Sequence, residues 1–398
     1  MYKKLAKKSI SIAFGFLSFV FFFKKDIIIF SQTKSRYSGN SKYLFEYLVR
    51  NDFHSYWLYT DKIQKEKIPA EFASNLIRRK SIKALYISLI SNYFVISHGG
   101  GDLGFYWYIA KNNNVLNLWH AIGIKKTGLI DNNFNNKKDF EQHIKETRNY
   151  SFMTVSSDID RYVTASSHNI DIKKVFVTGN PRTDYYFEKM QCRTKDEEFK
   201  VLYAPTFRDY ELNSDIFFPF LDFSFEKLSL FFLNYPYLKI YLRPHPNDVK
   251  SIKQAVQLQE KLPKNVLHFS SQVCDDIDEY MFQFDLIITD YSSIYIEPLL
   301  ADIPCIFIPF DYDYYLKTRG LAYNYDSITP GPIVSNFTEL VNSMVSALKG
   351  APEWADKRKI VKDMFFTYQD DQACNRIVQQ VLQLKSNSFT KKKKKKKI

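Results

Sequence analysis

The stretch of residues 286–315 constrains the fold more than any other part of the sequence. A short apolar run (286–289) leads into a polar turn (290–293), a predicted helix (294–300) and a second apolar run (305–308). Apolar runs of this length, bounded by turn residues, are typical of parallel strands that are covered on both faces. The stretch therefore predicts a strand–helix–strand unit of a parallel sheet.

The turn in this unit carries Asp290, Ser292 and Ser293. Hydroxyl groups and unpaired backbone N–H groups at a helix N-terminus attract anions, because the helix dipole favours negative charge there. Asp290 and Ser292 are also ordinary helix-capping residues. The turn is compatible with an anion site and with a plain strand–helix corner. For Asp290, capping is favoured over a contact to Mg²⁺.

Strand and helix patterns alternate along the rest of the chain, which predicts an α/β fold with doubly wound sheets. The length of 398 residues favours two domains over one. A polar segment near 188–198 is predicted to join them, so the domains are placed at 26–190 and 191–386. The predicted strands lie at 27–30, 55–59, 93–97, 115–119, 152–156, 175–179, 201–205, 238–243, 266–270, 286–289 and 305–308.

The two ends of the chain carry its excess positive charge. Residues 1–25 contain six lysines and no acidic residue, and residues 391–397 are seven consecutive lysines. The net charge of +13 equals the number of lysines in these two segments, so the rest of the chain is formally neutral. A nucleic-acid-binding protein more often has its basic surface on the folded domain, whereas basic ends suit an anionic membrane surface.

Residues 9–23 are apolar apart from serine and are flanked by lysines. These 15 residues are fewer than the roughly 20 that a helix needs to span a bilayer. Segment 1–25 is therefore predicted to be a short membrane-associated anchor, with a signal peptide or a true span as alternatives. The tail at 387–398 is predicted to be disordered because its lysines repel one another. It is also open whether the tail has a function.

The four cysteines are scattered and form no CxxC pair. This pattern suits a reducing compartment and predicts neither a disulfide framework nor a metal site. No cofactor is predicted.

Six predicted strands end in histidine, arginine, serine, threonine or aspartate side chains. Ligands of open parallel sheets bind beyond the carboxyl ends of the strands, so these residues are candidates for a site. Cations and hydroxyls without a pair of carboxylates favour phosphate chemistry. Each residue also has a structural alternative, such as a buried core histidine at His120 or a rigid proline turn around His245. The candidates of this kind are His120, Arg182, Thr206, Arg208, Arg243, His245, Asp290, Ser292 and Ser293.

Several short motifs occur in a fixed order along the chain. Together they resemble the CDP-glycerol glycerophosphotransferase family, the primases and polymerases of teichoic acid and capsule synthesis. The resemblance runs from about Ile27 to Leu384. The motifs are SRYSGNSKYLFEYL (35–48), LWHAIGIKKTG (118–128), TGNPRTD (178–184), YAPTFRD (203–209), LRPHP (242–246), TDYSSIYIEPLLADIPCIFIPFDYDYY (289–315), RGLAYNY (319–325) and PGPIV (330–334).

This resemblance implies two Rossmann-like domains that face a cleft, the GT-B arrangement. It implies transfer of a polyol phosphate from CDP-glycerol, or from CDP-ribitol, to a hydroxyl of a lipid-linked or polymer acceptor, with release of CMP. It also implies a peripheral enzyme on the cytoplasmic face of the cell membrane. The sequence leaves open the choice of polyol, priming or extension, the acceptor and a homo-oligomeric state.

The resemblance assigns roles to matching residues. His120 is expected to be the general base, and its unperturbed pKa near ~6.5 suits that role. His245 is expected to stabilise charge on the leaving CMP. Thr206, Ser292 and Ser293 are expected to contact the donor pyrophosphate.

Five further residues are weaker candidates for substrate binding. Arg243 would support His245, and Glu297 would accept hydrogen bonds from ribose hydroxyls. Arg208 would bind phosphate or form an ion pair. Lys125 would bind an anionic acceptor or be solvated. Arg182 is a candidate because it is a cation that follows a predicted strand.

The sequence departs from the family at the loop after His120. The usual W-H-G-T-P-L-K is Trp119-His120-Ala121-Ile122-Gly123-Ile124-Lys125 here. Ala121 replaces the usual glycine and the usual proline is missing, so the shape of the loop and the identity of the acceptor can differ from those of the family. The histidine itself is present as His120.

Two alternatives to this function remain at this point. One is a sugar-nucleotide-dependent glycosyltransferase of GT-B fold in cell-surface polysaccharide synthesis. The other is a membrane-tethered lectin-like or scaffold protein that binds nucleotide without turnover.

Overall fold

The computed structural model of the chain describes residues 24–32, 36–60, 68–132, 136–193, 197–208, 210, 215–246 and 248–384. Residue contacts divide the chain into two compact units. The first unit comprises Met1–Ala121, Phe134–Tyr185 and Asp370–Ile398, and the second comprises Ile122–Asn133 and Tyr186–Gln369. In this division the described residues 122–132 fall in the second unit and 370–384 in the first, whereas the sequence placed them in the domains 26–190 and 191–386, respectively.

The first unit contains, among its described residues, a seven-stranded parallel sheet in the order β3-β2-β1-β4-β5-β6-β7. The strands are β1 (Lys25–Phe30), β2 (Ser55–Tyr59), β3 (Leu76–Arg78), β4 (Ser91–Ile96), β5 (Asn114–Asn117), β6 (Phe152–Val155) and β7 (Val175–Val177). The α-helices between and after them are Gly39–Arg50, Ile82–Ile90, Trp107–Ala110, Lys137–Thr147, Asp158–His168 and Pro181–Gln191.

The second unit contains, in the part that the structure describes, a five-stranded parallel sheet in the order β10-β9-β8-β11-β12. Its strands are β8 (Phe199–Tyr203), β9 (Leu238–Leu242), β10 (Val266–His268), β11 (Leu286–Thr289) and β12 (Cys305–Phe307). Its α-helices are Phe225–Asn234, Val249–Lys261, Tyr312–Thr318, Tyr325–Ile328, Phe337–Ala347 and Ala355–Phe365. The predicted parallel α/β fold is therefore present in both units.

Hydrophobic clusters cover both faces of each sheet. Along β1, Ile27 and Ile29 belong to one cluster, while Ile28 and Phe30 belong to another. Successive side chains of a strand point to opposite faces, so each strand contributes to two cores. The same alternation holds along β8 and β11 of the second unit. Because both faces of each sheet are covered by apolar side chains, the polar side chains of the candidate sites lie at the ends of the strands.

Some local predictions were wrong. The stretch predicted as a helix at 294–300 forms two short 3₁₀ turns, Ser293–Tyr295 and Glu297–Ala301. Pro298 lies at the start of the second turn and has no N–H to donate to a preceding carbonyl, so a regular α-helix is disfavoured there. The sequence pattern at 277–284 also predicts a helix, but this segment forms the 3₁₀ turns Ile277–Glu279 and Met281–Gln283. The three-residue strand β3 was not predicted.

The end of the described chain returns to the first unit. The apolar spacing of residues 371–384 predicts a helix, and the structure has a short α-helix there, Ala373–Arg376, followed by a π-helical segment, Ile377–Leu382. The carboxylate of Asp184 accepts hydrogen bonds from the backbone N–H groups of Ala373 and Cys374, each at 2.8 Å. Burial raises the pKa of Asp184 to about 6.

None of the helices formed by the described residues is both long and apolar enough to cross a bilayer. The predicted membrane-associated segment falls almost entirely on residues 1–23, which lie outside the described residues, as does the lysine tail at 387–398.

Candidate functional site

Each sheet has a point where the strand order reverses, and open α/β sheets bind ligands beyond the strand ends at such points. In the first unit the reversal lies between β1 and β4, and in the second it lies between β8 and β11. His120 follows β5, the neighbour of β4. Thr206 follows β8 and Asp290 follows β11. The predicted residues therefore fall at or beside these positions in both units.

The His120 ring is oriented by the segment that follows β4. Its Nδ1 atom lies 3.2 Å from the backbone oxygen of Ser97. A carbonyl oxygen can only accept a hydrogen bond, so Nδ1 must carry the proton. In the neutral ring, Nε2 then holds the lone pair. This tautomer is the one a general base needs if it takes a proton at Nε2.

The backbone just before His120 is strained and held from two sides. Trp119 has a φ of 50°, in the left-handed region that larger residues rarely adopt. The Asn117 side-chain oxygen accepts from the Trp119 N–H at 2.9 Å, and the Asn40 side chain donates to the Trp119 carbonyl at 3.0 Å. The predicted substrate-binding residue Arg182 donates to the His120 carbonyl at 3.1 Å. Arg182 therefore supports the turn that carries His120.

A second histidine lies against His120. The His98 and His120 rings stack with centroids 4.5 Å apart and planes 10° from parallel. His120 is exposed on one side, but desolvation by the residues packed around it, together with the neighbouring His98 and Arg182 side chains, lowers the pKa of His120 below its ordinary value, and the bond to the Ser97 carbonyl opposes this shift. The imidazole of His120 is consequently neutral near neutral pH, with the lone pair on Nε2.

In the second unit, Asp290 joins the ends of β8 and β11. Its carboxylate accepts from the backbone N–H of Thr206, with oxygen distances of 2.9 and 3.2 Å. Asp290 is only 2% exposed. Within the described part of the chain, no group of three or more His, Cys, Asp or Glu residues is arranged to hold a metal ion. The carboxylate accepts hydrogen bonds from the Thr206 backbone and from Arg208.

Arg208 lies in a buried ion-pair network. Its guanidinium donates to Asp290 at 2.7 Å and forms two bonds of 2.8 Å to the carboxylate of Asp311. Only 2% of the side chain is exposed, and the guanidinium lies 5.0 Å from the ring centre of Tyr291. Despite its burial, these carboxylates raise the pKa of Arg208. Of the two roles considered for Arg208, the geometry gives it the structural one, because its donors are directed at carboxylates.

Lys125 lies beside Thr206 in the same unit. Its Nζ atom is 3.4 Å from the hydroxyl oxygen of Thr206. Backbone hydrogen bonds of the loop 122–133 to residues 320 and 322 fix its position. Burial lowers the pKa of Lys125 to about 8, with Asp290 opposing the shift. Lys125 thus belongs to the Thr206 site of the second unit, although the sequence associated it with the acceptor.

The two serines of the turn and Glu297 lie in the 3₁₀ segment. The Ser292 hydroxyl accepts from the Ile294 N–H at 3.3 Å, and Ser292 and Ser293 are half-buried. Glu297 is buried, with 8% of its surface exposed. The predicted α-helix N-terminus is absent from this described segment, so any phosphate contact there would come from hydroxyls and individual N–H groups.

Arg243 and His245 have different surroundings. Arg243 is buried and donates to the carbonyls of Phe269 and Cys274, both at 3.0 Å. Burial lowers its pKa. His245 is exposed, and its ring centre is 5.2 Å from that of Phe207. Arg243 therefore braces the loop after β10, and its expected support of His245 stays a prediction.

Sequence reasoning assigned no role to four residues of these sites: Asn40, His98, Asp102 and Asp311. Two lie in motifs that were noted, since Asn40 belongs to SGN (38–40) and Asp311 to the segment after β12. The glycine-rich segment 97–104 contains both His98 and Asp102. The place of His98 just after a predicted strand is a signal that the sequence offers, whereas the pairing of Asp311 with Arg208 across 103 residues is not.

Two parallel α/β units, each with polar side chains gathered at the reversal of its sheet, define the class of two-domain, doubly wound proteins. The chain matches one family within this class over residues 13–383. The protein belongs to the CDP-glycerol:poly(glycerophosphate) glycerophosphotransferase family. This confirms the resemblance inferred from the motifs.

Two curated relatives illustrate the similarity. The teichoic acid poly(ribitol-phosphate) polymerase of Bacillus spizizenii is 27% identical over 380 residues, which cover 89% of this chain and 56% of the relative. The teichoic acid glycerol-phosphate transferase of Staphylococcus aureus is 26% identical over 407 residues, which cover 95% of this chain and 98% of the relative. The chain thus spans little more than half of the first relative and nearly all of the second.

A solved structure of the wall teichoic acid polymerase TagF has the same fold. It superposes with a TM-score of 0.70 at 18% identity and covers 96% of this chain and 98% of the compared chain. At this identity the likeness establishes the fold alone.

Proposed function

We propose that the protein transfers glycerol phosphate, or a related polyol phosphate, from a CDP-activated polyol to a hydroxyl of a lipid-linked or polymer acceptor. The reaction would release CMP and serve the synthesis of a teichoic-acid-like or capsular polymer. The observation that carries this proposal is family membership over residues 13–383. Similarity over nearly the whole length of the Staphylococcus aureus glycerol-phosphate transferase supports it.

The bond changes define what the protein must supply. The acceptor oxygen attacks the phosphorus that carries the polyol, and the bond from this phosphorus to the bridging oxygen breaks. CMP leaves with that oxygen, and the acceptor proton moves to a base. Such transfers depend mainly on positioning and on stabilising charge. His120 is the proposed base because its neutral tautomer leaves Nε2 with a lone pair.

We assign the donor to the second unit. Thr206, Lys125, Ser292 and Ser293 supply a cation and hydroxyls near the reversal of its sheet. His245, which is exposed, is the proposed group for charge on the leaving CMP. The reaction requires this donor to meet His120 of the first unit. The cleft between two domains remains an expectation from the family resemblance.

A donor and acceptor assay tests the proposal. The full chain is incubated with labelled CDP-glycerol or CDP-ribitol and a lipid-linked acceptor, and CMP release and product mass are measured. Parallel reactions contain UDP- or GDP-sugars as donors. A mass increase of one polyol phosphate per CMP supports the proposal. Transfer only from a sugar nucleotide would establish the glycosyltransferase alternative, and binding without turnover would establish the scaffold alternative.

We further propose peripheral attachment to the cytoplasmic face of the cell membrane. The support lies in the sequence, since the apolar residues 9–23 have lysines on both sides and the chain ends with a lysine tract. Lysines beside an apolar segment can pair with lipid phosphates while the apolar residues enter the interface.

Vesicle sedimentation tests this attachment. The full chain should bind vesicles with anionic lipid more strongly than neutral vesicles. Deletion of residues 1–25 and 391–397 should abolish the difference. Salt-resistant binding of the deleted chain to anionic vesicles would point to a different attachment site.

A further inference from the structure

Two histidines of the first unit lie in an arrangement that the reaction scheme above does not use. His98 follows β4 directly, and its ring is stacked on that of His120. The two planes deviate by only 10°, so the rings are in face-to-face contact. The His98 side chain is 41% exposed. A stacked ring of this kind restricts rotation of the neighbouring imidazole about its Cβ–Cγ bond.

His98 is itself held by a buried carboxylate. One oxygen of Asp102 accepts the backbone N–H groups of Ser97 and His98, both at 2.9 Å. The other oxygen lies 3.6 Å from Nδ1 of His98, an ion-pair distance when the imidazole is protonated. Asp102 is fully buried. The same carboxylate thus fixes the segment that accepts the His120 bond and the ring that covers His120.

We propose that His98 is a positioning residue for His120: anchored by Asp102, it holds the His120 ring in the plane where Nδ1 donates to the Ser97 carbonyl and Nε2 can take the acceptor proton. This inference rests on the proposed role of His120. It assigns no contact between His98 and the substrate.

The arrangement also affects protonation. The neighbouring His98 disfavours a proton on the adjacent ring and so lowers the pKa of His120. Asp102 opposes this effect, and Arg182 reinforces it. Other charged side chains reach the surrounding segment as well: Arg79 donates to the Asp102 carbonyl, and Glu146 accepts from the Gly100 N–H at 2.7 Å.

Two substitutions separate stacking from charge. His98→Gln removes both the aromatic ring and its charge, whereas His98→Phe keeps a flat ring without the charge. His54→Gln is the control, because His54 is an exposed histidine of the same unit. Turnover is measured with saturating CDP-polyol and acceptor. The tautomer and titration of His120 are measured by NMR on the full chain labelled with ¹⁵N-histidine.

The expected results follow from the two roles. His98→Gln should lower kcat by between about 10-fold and 100-fold, because the base is no longer aligned. It should also mix the two neutral tautomers of His120 and move its protonation to higher pH. His98→Phe should restore most of kcat and the Nδ1-protonated tautomer, but its His120 should still protonate at higher pH than in the wild type. His54→Gln should change none of these values.

Other outcomes would overturn the inference. One is a wild-type kcat and an unchanged His120 tautomer in His98→Gln. Another is an equal loss of kcat in both variants with the His120 ring unchanged, which would mean that His98 acts on the substrate directly. A separate experiment tests whether His120 is the base. If it is not, His120→Gln retains turnover. The NMR measurements on the His98 variants still decide whether His98 orients the His120 ring.

Discussion

The two candidate sites differ in how their polar groups are used. In the first unit, the stacked rings of His98 and His120 are not fully buried, and His120 is neutral near neutral pH. In the second unit, the Arg208 guanidinium is buried and forms ion pairs with two carboxylates, those of Asp290 and Asp311. A buried ion pair of this kind fixes backbone segments, because separating its members would leave a charge without compensation.

This difference shows that residue type alone does not identify a phosphate ligand. Arg208 and Lys125 are both cations near Thr206, but Arg208 is held by carboxylates while the Lys125 Nζ contacts a hydroxyl at 3.4 Å. Arg208 therefore stabilises the structure of the site, whereas Lys125 is the cation that we propose binds the donor. The first unit shows a similar division, since Asp102 binds backbone N–H groups beside His120, which is the proposed base.

The largest expected effect is that of replacing the base. His120→Ala should lower kcat by about 10²–10⁴-fold, because a general base typically contributes that much. Binding of CDP-glycerol should be largely unchanged, since the donor is assigned to the second unit. Steady-state kinetics and calorimetric titration of CDP-glycerol measure the two quantities.

His54→Ala provides the matched control, because it removes an exposed histidine from the same unit. Near-normal turnover of His120→Ala would remove the base assignment. Loss of CDP-glycerol binding in that variant would break the division of roles between the units.

Replacing Arg208 should have the next largest effect, on stability. Arg208→Met leaves Asp290 and Asp311 buried without their cation, and such losses cost about 3–5 kcal/mol. Denaturant unfolding followed by tryptophan fluorescence measures the change. In the control Arg50→Met, the lost arginine is 54% exposed and paired with Glu71 at 2.8 Å, so the cost should be about 0–1 kcal/mol. If Arg208→Met keeps full stability but weakens donor binding, the guanidinium is a phosphate ligand after all.

The smallest of these effects concerns Lys125. Lys125→Met should raise the KM for CDP-glycerol about 10-fold near pH 7, the loss of one charge-assisted contact. The pKa of Lys125 is lowered to about 8, so the wild-type side chain is a cation below that pH and neutral above it. Donor affinity of the wild type should therefore weaken as the pH rises through about 8, whereas the variant should lack this step.

Lys126→Met is the control for this prediction, because the Lys126 amine donates to Asn132 at 3.0 Å. Its KM and its pH dependence should match the wild type. Equal effects of the two substitutions would indicate a general influence of charge instead of a contact at Thr206.

The parallel sheets were predictable because both faces of each strand are buried, which produces continuous apolar runs such as 286–289. The short edge strand β3 lacks such a run, since only Ile77 of its three residues is buried. The turns after β11 were misassigned because apolar spacing does not distinguish a regular helix from the 3₁₀ turns that Pro298 favours.

The positions of the candidate site residues were predictable where these residues follow a strand, because ligands of parallel sheets bind beyond the strand ends. His120 and Thr206 follow from their places after β5 and β8. The partners of a cation were not predictable, because Arg208 pairs with Asp311 across a separation of 103 residues. The same limit applies to Arg243, whose partners are backbone carbonyls that no side-chain pattern reveals.

The return of residues 370–384 to the first unit has a practical consequence for dissecting the enzyme. Cys374, Ile377 and Val381 belong to the same hydrophobic cluster as Phe30 and Trp57. A fragment that stops near residue 185 would expose that cluster to water and would tend to aggregate. An expression fragment of the first unit should therefore carry 370–384 grafted through a linker, or the protein should be circularly permuted.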